Sequence, residues 1–182
     1  MLFRSYLDTG WVSSDSTIEL PKSSSIWIAD KNTIGVNEPV KLTWTSDQNI
    51  TFEKIITLDD NYLFSVDQRV INNSGLSFDL YPYGLSKRQG IPEMQNFFIL
   101  HEGPLSITDG VLEEYDYDDL KDDKKIKHSS VGGWIGMTDK YWQTAIIPNQ
   151  NESVQQTYSY SFVDNIDNFQ TDIVGERIAV SN

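Results

Sequence analysis

Alternating hydrophobic and polar residues dominate the chain, and the pattern is clearest between residues 40 and 80. Residues 40–45 and 76–80 place apolar residues at every second position, and residues 62–71 place Tyr62, Phe64, Val66 and Val70 on one face. The segment 51–58 precedes residues 62–71 and is predicted as a neighbouring strand. Because successive side chains of a strand point to opposite faces, this pattern predicts half-buried strands. Turn-forming residues join the last three of these segments along the chain, which are predicted to form an antiparallel meander that ends where Pro82 and Gly84 interrupt it.

Shorter elements are predicted on both sides of this centre. One short helix is predicted over 137–142, with Thr138 as its cap and with Tyr141 and Trp142 packed inward. Strands separated by Gly, Asn, Asp and Pro predict an all-β, single-domain antiparallel sandwich over residues 1–182, with one or two short helices. The additional strands are predicted at 17–20, 25–29, 96–100, 110–115, 144–147, 155–163 and 177–180.

Composition narrows the possible functions. The 182 residues include 27 acidic and 14 basic side chains, giving a net charge of −13, which argues against nucleic acid as the main partner. The chain has no cysteine, so disulfides, thiolate metal sites and cysteine nucleophiles are excluded. Its apolar runs are too short to span a membrane, and no signal peptide can be read from its start. We expect a segment cut from something longer.

The acidic run at 113–123 is the main compositional anomaly, with seven carboxylates in eleven residues. A calcium loop needs oxygen ligands at set alternate positions and a glycine for the turn, and the run has neither. It is therefore predicted to be a solvated loop whose charge is compensated by the lysines that follow. Neither His101 nor His128 has a zinc-type partner nearby in sequence. No catalytic residue, metal ligand or cofactor is predicted.

The five tryptophans allow two interpretations. Flat rings could line a sugar platform or a peptide groove, but rings in or beside strands more often belong to the core. Core burial is predicted for Trp27, Trp44 and Trp134, whereas Trp11 and Trp142 are left undecided.

Two passages in the same order resemble a known family. Residues 51–75 are similar to the Phe-x-Lys strand and the Asp-x-Tyr and Asn-x-x-Gly turns of the periplasmic domain of bacterial YidC membrane-protein insertases. A second segment of that domain is resembled by residues 129–148, and Trp11 and residues 40–44 also fit in order. The resemblance therefore covers nearly the whole chain. The matching residues of 129–148 include Gly132, Gly133, Trp134, Tyr141 and Pro148.

The resemblance implies a twisted β-sandwich of the supersandwich type, with a mutarotase-like shape but without catalytic residues. It implies a non-enzymatic role in the insertion and folding of inner-membrane proteins at the periplasmic face of the bacterial inner membrane. The implied partners are the Sec translocon, including SecDF, and nascent inner-membrane proteins. The domain would be monomeric and tethered through flanking helices outside this chain, and its translocon-facing part maps only to 61–100.

Structural roles are expected for the motif residues. Gly132 and Gly133 would let the backbone turn into Trp134, Tyr141 would pack within the short helix, and Pro148 would end the following strand. Two other functions stay open. A sandwich of this shape could bind carbohydrate or epimerise sugars, and the acidic run alone could indicate a calcium-dependent adhesion module.

Overall fold

The computed structural model describes residues 5–91 and 101–181, and these group into two compact units. Unit 1 comprises Met1–Thr9 and Tyr83–Glu176, and unit 2 comprises Gly10–Pro82 and Arg177–Asn182. The predicted all-β class is confirmed, since the described residues form antiparallel sheets and one short helix. That residues 1–182 act as one domain stays a prediction.

The described part of the chain contains fourteen strands and one helix. The strands are β1 (Ser5–Val12), β2 (Ile28–Ala29), β3 (Val40–Thr45), β4 (Ile50–Leu58), β5 (Phe64–Asn72), β6 (Phe78–Gln89), β7 (Gly103–Thr108), β8 (Val111–Glu114), β9 (Lys125–Val131), β10 (Trp134–Asp139), β11 (Trp142–Ile146), β12 (Ser153–Val163), β13 (Ile166–Val174) and β14 (Ile178–Val180), and the helix is α1 (Tyr117–Asp123).

Unit 1 contains two antiparallel sheets and α1. One sheet has the order β1-β6-β13-β12-β9, and the other has the order β11-β10-β7-β8. Both sheets contribute apolar side chains to one core, and the helix adds two of its own. The fully buried members of this core include Tyr117, Leu120, Ile135, Met137, Tyr158 and Phe169.

Unit 2 is built around the antiparallel sheet β2-β3-β4-β5, and β14 pairs with Phe78–Leu80 at the start of β6. Its core contains Trp11, which lies 5.1 Å from Phe52 between ring centroids. Trp27 and Trp44, for which core burial was predicted, pack against this core but are only half-buried. In unit 1, Trp134 is half-buried and Trp142 is exposed.

Several strand predictions are confirmed, and others are wrong. Residues 40–45, 51–58 and 62–71 correspond to β3, β4 and β5, but residues 76–80 do not continue that meander, because they pair with β14 instead. Pro82 does not end the strand, since it lies between the residues that pair with β14 and those that pair with β13. No strand forms at 17–20, and the predicted strand at 96–100 falls outside the described residues.

The short helix was predicted in the wrong segment. Residues 137–142 form a hairpin in which Asp139 pairs with Trp142, because strands on both sides of β10 complete its ladder. The acidic run, predicted as a loop, contains α1. Tyr117 and Leu120 lie three residues apart and are buried, which anchors the helix, and the Asp119 carboxylate accepts a hydrogen bond from the Asp116 N–H at 3.2 Å.

Candidate interaction surface

The glycine pair of the motif closes the loop between β9 and β10. Both residues have positive φ, 64° at Gly132 and 74° at Gly133. A Cβ at Gly133 would overlap the carbonyl oxygen of Ile107. The side chain of Gln150 holds this turn, since its Oε1 accepts the Gly133 N–H at 3.1 Å and its Nε2 donates to the Gly133 carbonyl at 2.9 Å. The predicted turning role therefore has a steric cause at this position.

The other motif residues lie along one hairpin. Trp134 begins β10 opposite Ile107, and Pro148 follows β11, where its carbonyl accepts the Gln150 Nε2 at 2.9 Å. Gln150 thus joins Gly133 and Pro148 at one end of the hairpin. Tyr141 lies in the turn at the opposite end and is 83% exposed, so the prediction that it packs inward is wrong. Tyr141 is not among the described residues that pack against the core of unit 1.

A buried ion pair ties this hairpin turn to β6. Arg88 Nη1 lies 2.7 Å from Asp139 Oδ2, and the Arg88 side chain is almost fully buried. The guanidinium also lies over the Trp142 ring, 5.7 Å from its centroid. Burial raises the pKa of the nearby Tyr117 to about 12, against an opposing effect of Arg88. The pair is suited to a structural role, because both charges already have a partner.

Further polar side chains connect the two sheets of unit 1. Ser86 on β6 contacts Thr144 on β11 at 3.1 Å. The Thr108 hydroxyl on β7 donates to Gln156 Oε1 on β12 at 2.7 Å, and Gln156 is fully buried. These bonds satisfy polar groups that would otherwise destabilise the interior. Sequence reasoning missed them because polar residues at inward positions break the apolar alternation.

Two features of the described residues bear on the alternative functions, a sugar-binding site and a calcium-dependent adhesion module. The Tyr115 hydroxyl lies 2.8 Å from His128 Nε2 and 3.4 Å from Glu113 Oε2, so this histidine and this carboxylate both contact the tyrosine. Among residues 5–91 and 101–181, no three His, Asp or Glu side chains are placed to hold a metal ion. Within the same residues, no helix is long and apolar enough to cross a membrane.

An apolar patch is exposed where β4 turns into β5. It consists of Tyr62, Leu63 and Phe64, which are 76%, 54% and 58% exposed, and we call it the hairpin-tip patch. Exposed aromatic and aliphatic side chains that adjoin one another mark interaction sites more often than scattered ones do. The patch lies within residues 61–100, to which the resemblance assigns partner contact.

The turn that presents this patch is ordered by a single carboxylate. Asp59 Oδ1 accepts the N–H of Asn61 at 2.8 Å and of Leu63 at 2.9 Å. The backbone of Asp59 also accepts from the Tyr62 N–H, and Tyr62 has φ 62°. Aspartate commonly stabilises turns in this way. These three hydrogen bonds therefore order the backbone of the turn that carries the patch.

Replacing Asp59 with alanine is expected to lower the free energy of unfolding by about 1–2 kcal/mol, because two backbone donors lose a charged acceptor. Urea unfolding would measure the change. Asp60→Ala is the matched control, since Asp60 accepts one longer bond of 3.2 Å from Asn37. Equal losses in the two variants would contradict the assignment of the turn to Asp59.

The chain has clear similarity to known proteins. The family model described as the YidC periplasmic domain matches residues 3–182. The membrane protein insertase YidC of Pelagibacter ubique (strain HTCC1062) is 42% identical over 155 residues, which cover 85% of this chain and 28% of that protein. The insertase of the same name from Rickettsia bellii (strain OSU 85-389) is 36% identical over 170 residues, covering 93% of this chain and 30% of its own length.

A third relative extends the match. The membrane protein insertase YidC of Rickettsia akari (strain Hartford) is 36% identical over 186 residues, covering 97% of this chain and 33% of that protein. The chain thus spans about a third or less of the length of these relatives.

Proposed function

Because the chain belongs to the YidC periplasmic-domain family, we propose that it is the non-catalytic periplasmic part of a membrane-protein insertase. In this proposal the domain assists the insertion and folding of inner-membrane proteins beside the Sec translocon. It acts by binding proteins at the periplasmic face of the inner membrane and performs no chemistry of its own. The observation that carries the proposal is the family match over residues 3–182.

The hairpin-tip patch is our proposed contact site for the partners. Its three apolar side chains are exposed and adjacent, and Asp59 orders the backbone of the turn that carries them. An ordered turn loses less conformational entropy on binding than a flexible one, which favours recognition by a small surface. The proposed partners are components of the Sec translocon, including SecDF, and nascent inner-membrane proteins.

The carbohydrate alternative has less support in unit 1. Its exposed rings at Tyr141 and Trp142 adjoin a carboxylate, Asp139, that is already paired with Arg88. One face of Trp142 is also taken by the same arginine. A sugar site needs free polar groups that converge beside exposed rings. At this turn Asp139, Arg88 and Trp142 already contact one another.

Site-specific photocrosslinking in the full-length insertase would test the proposal. A photoreactive amino acid at Tyr62 is expected to form adducts with Sec components or with newly made membrane proteins in living cells. Tyr141 is the matched control, because it is also a tyrosine in a hairpin turn and is 83% exposed. We expect at least severalfold fewer adducts from that position.

Two outcomes would overturn parts of the proposal. Equal crosslinking from Tyr62 and Tyr141 would remove the hairpin-tip patch as the contact site. A complete absence of Sec components and substrate proteins among the adducts of positions 61–91 would remove the proposed docking role from this segment.

A further inference from the structure

Among the described strands, β5 is the last one at one side of the sheet in unit 2. It has nine residues, and its register with β4 is continuous from Leu58–Phe64 to Ile50–Asn72. Within the described residues, β4 is the only strand that pairs with it. The N–H and C=O groups of every second residue of β5 therefore point away from β4, and no described strand pairs with them.

This edge carries two exposed charges, Asp67 and Arg69, but lacks the other features that commonly protect edges from pairing. It contains no lysine and no proline, and its ladder has no bulge. By contrast, the edge strand β9 carries Lys125 and Lys127, and the edge strand β2 has only two residues. A long, regular edge with exposed apolar residues such as Val66 is a template for strand addition.

The charges on β5 indicate which strand would fit this edge. Asp67 and Arg69 are exposed, lie two positions apart and therefore share one face of the sheet. No ion pair joins either side chain to another residue in the described parts of the chain. The strand thus carries one negative and one positive group, placed symmetrically about Gln68.

We propose that the occupant of this edge is β5 of a second copy of the same chain. In an antiparallel pair centred on Gln68, Asp67 of each copy lies opposite Arg69 of the other. The same register places Val66 opposite Val70 on the other face. Opposite charges and apolar pairs directly across an antiparallel ladder both stabilise it. The two-fold axis makes the contact self-complementary and closed.

The same charges disfavour the neighbouring registers. A shift of the centre to residue 67 would place the two Asp67 carboxylates opposite each other. A shift to residue 69 would do the same with the two Arg69 side chains. A centre between two residues would bring residues from opposite faces of the sheet across from each other, which the pleat of an antiparallel pair does not allow. Charge repulsion therefore disfavours both neighbouring centres, and a centre further along the strand loses the two Asp67–Arg69 pairs.

This inference departs from the monomer that the sequence predicts, and it does not depend on the proposed function. One strand pair buries a small surface, so we expect the transient class of association that requires high protein concentration to observe. Sedimentation of the 182-residue chain over a concentration series up to several hundred micromolar is expected to show a monomer–dimer equilibrium.

Single cysteines would read the register directly, because the natural chain contains none. Gln68→Cys is expected to form a disulfide-linked dimer on mild oxidation, since the two thiols meet at the axis. Ser65→Cys is the control, because its two copies would lie six residues apart along the strands, roughly 20 Å. Equal linking of both variants would mean random collision and would overturn the proposal.

Charge reversal supplies a test that does not use oxidation. Asp67→Arg and Arg69→Asp are each expected to weaken dimerisation on the order of tenfold, because two attractive pairs become repulsive. The double variant D67R/R69D is expected to restore it. A mixture of the two single variants is also expected to dimerise, since each copy complements the other.

Loss of dimerisation without rescue in either the double variant or the mixture would overturn the proposed register. Thermal unfolding of every variant checks that the fold is intact, which matters at Arg69 because Glu53 lies opposite it on β4. Crosslinking from Tyr62 in the same variants separates the two proposals. If the adducts persist while the dimer is lost, partner docking and self-association are independent.

Discussion

Replacing Arg88 with methionine is expected to lower the free energy of unfolding by about 3 kcal/mol, because it removes one member of a buried ion pair. The guanidinium lies 2.7 Å from Asp139, and its side chain is only 3% exposed. Methionine fills much of the same volume, so the loss comes mainly from leaving the Asp139 carboxylate without its partner. Urea unfolding followed by tryptophan fluorescence would measure it, since Trp142 lies beside the guanidinium.

Arg177→Met provides the matched control for this prediction. Arg177 makes the same kind of pair, 3.0 Å from Asp79, but its side chain is 61% exposed. An exposed pair is screened by water and contributes little, so we expect almost no change in the unfolding midpoint. Similar losses at Arg88 and Arg177 would show that burial is not the cause.

Replacing Gly133 with alanine is expected to lower the free energy of unfolding by about 3 kcal/mol, from a left-handed backbone and a steric overlap together. Its φ is 74°, and the new Cβ would meet the carbonyl oxygen of Ile107. The hairpin must then shift away from β7, which disturbs the pair between Trp134 and Ile107. Chemical denaturation would give the change in stability.

Gly110→Ala separates the two contributions. Gly110 has a similar φ of 82°, but a Cβ there would meet no atom within 4 Å. Only the backbone preference is lost, so a decrease of about 1 kcal/mol is expected. If the alanine variants at 110 and 133 lost equal stability, the close approach of Ile107 would not matter.

The sequence predicted strands best where one face is apolar. Strands β3 and β4 were placed within a residue of their observed bounds, and in β4 the apolar residues Ile50, Phe52 and Leu58 are buried, although Glu53 is buried as well. The second half of β6 was missed because its buried positions are Gly84, Ser86 and Arg88. A polar side chain can point inward when another sheet supplies its partner, and that partner is distant in sequence. Alternation of hydrophobicity cannot indicate such a strand.

The helix was misplaced for a related reason. The segment 137–142 has a capping threonine and two aromatic residues, which favour a helical turn locally. Strand pairing on both sides of β10 overrides that preference. Conversely, α1 has only two buried apolar residues, Tyr117 and Leu120, within an acidic segment. Tertiary packing of those two side chains decides a structure that local composition does not reveal.

The exposure of the hairpin-tip patch and of β5 could not be predicted from the sequence pattern either. The pattern placed Tyr62, Phe64, Val66 and Val70 on one face, but it could not show which of them another element covers. In the structure, Val70 packs against the core of unit 2, whereas Phe64 and Val66 are exposed. The difference between a core strand and an accessible edge depends on which segments fold over it, and this information is non-local.

The pairing of β14 with Phe78–Leu80 has a consequence for the time course of folding. Arg177, next to β14, contacts Asp79 across a separation of 98 residues. At roughly 5–20 residues per second, a ribosome needs about 5–20 s to make the intervening chain. Unit 2 must therefore wait, with Phe78 and Leu80 lacking this partner strand, until all of unit 1 has been synthesised. Contacts so distant in sequence also slow folding in general, so this stage of biogenesis is the one at which unit 2 is most open to capture by chaperones or proteases.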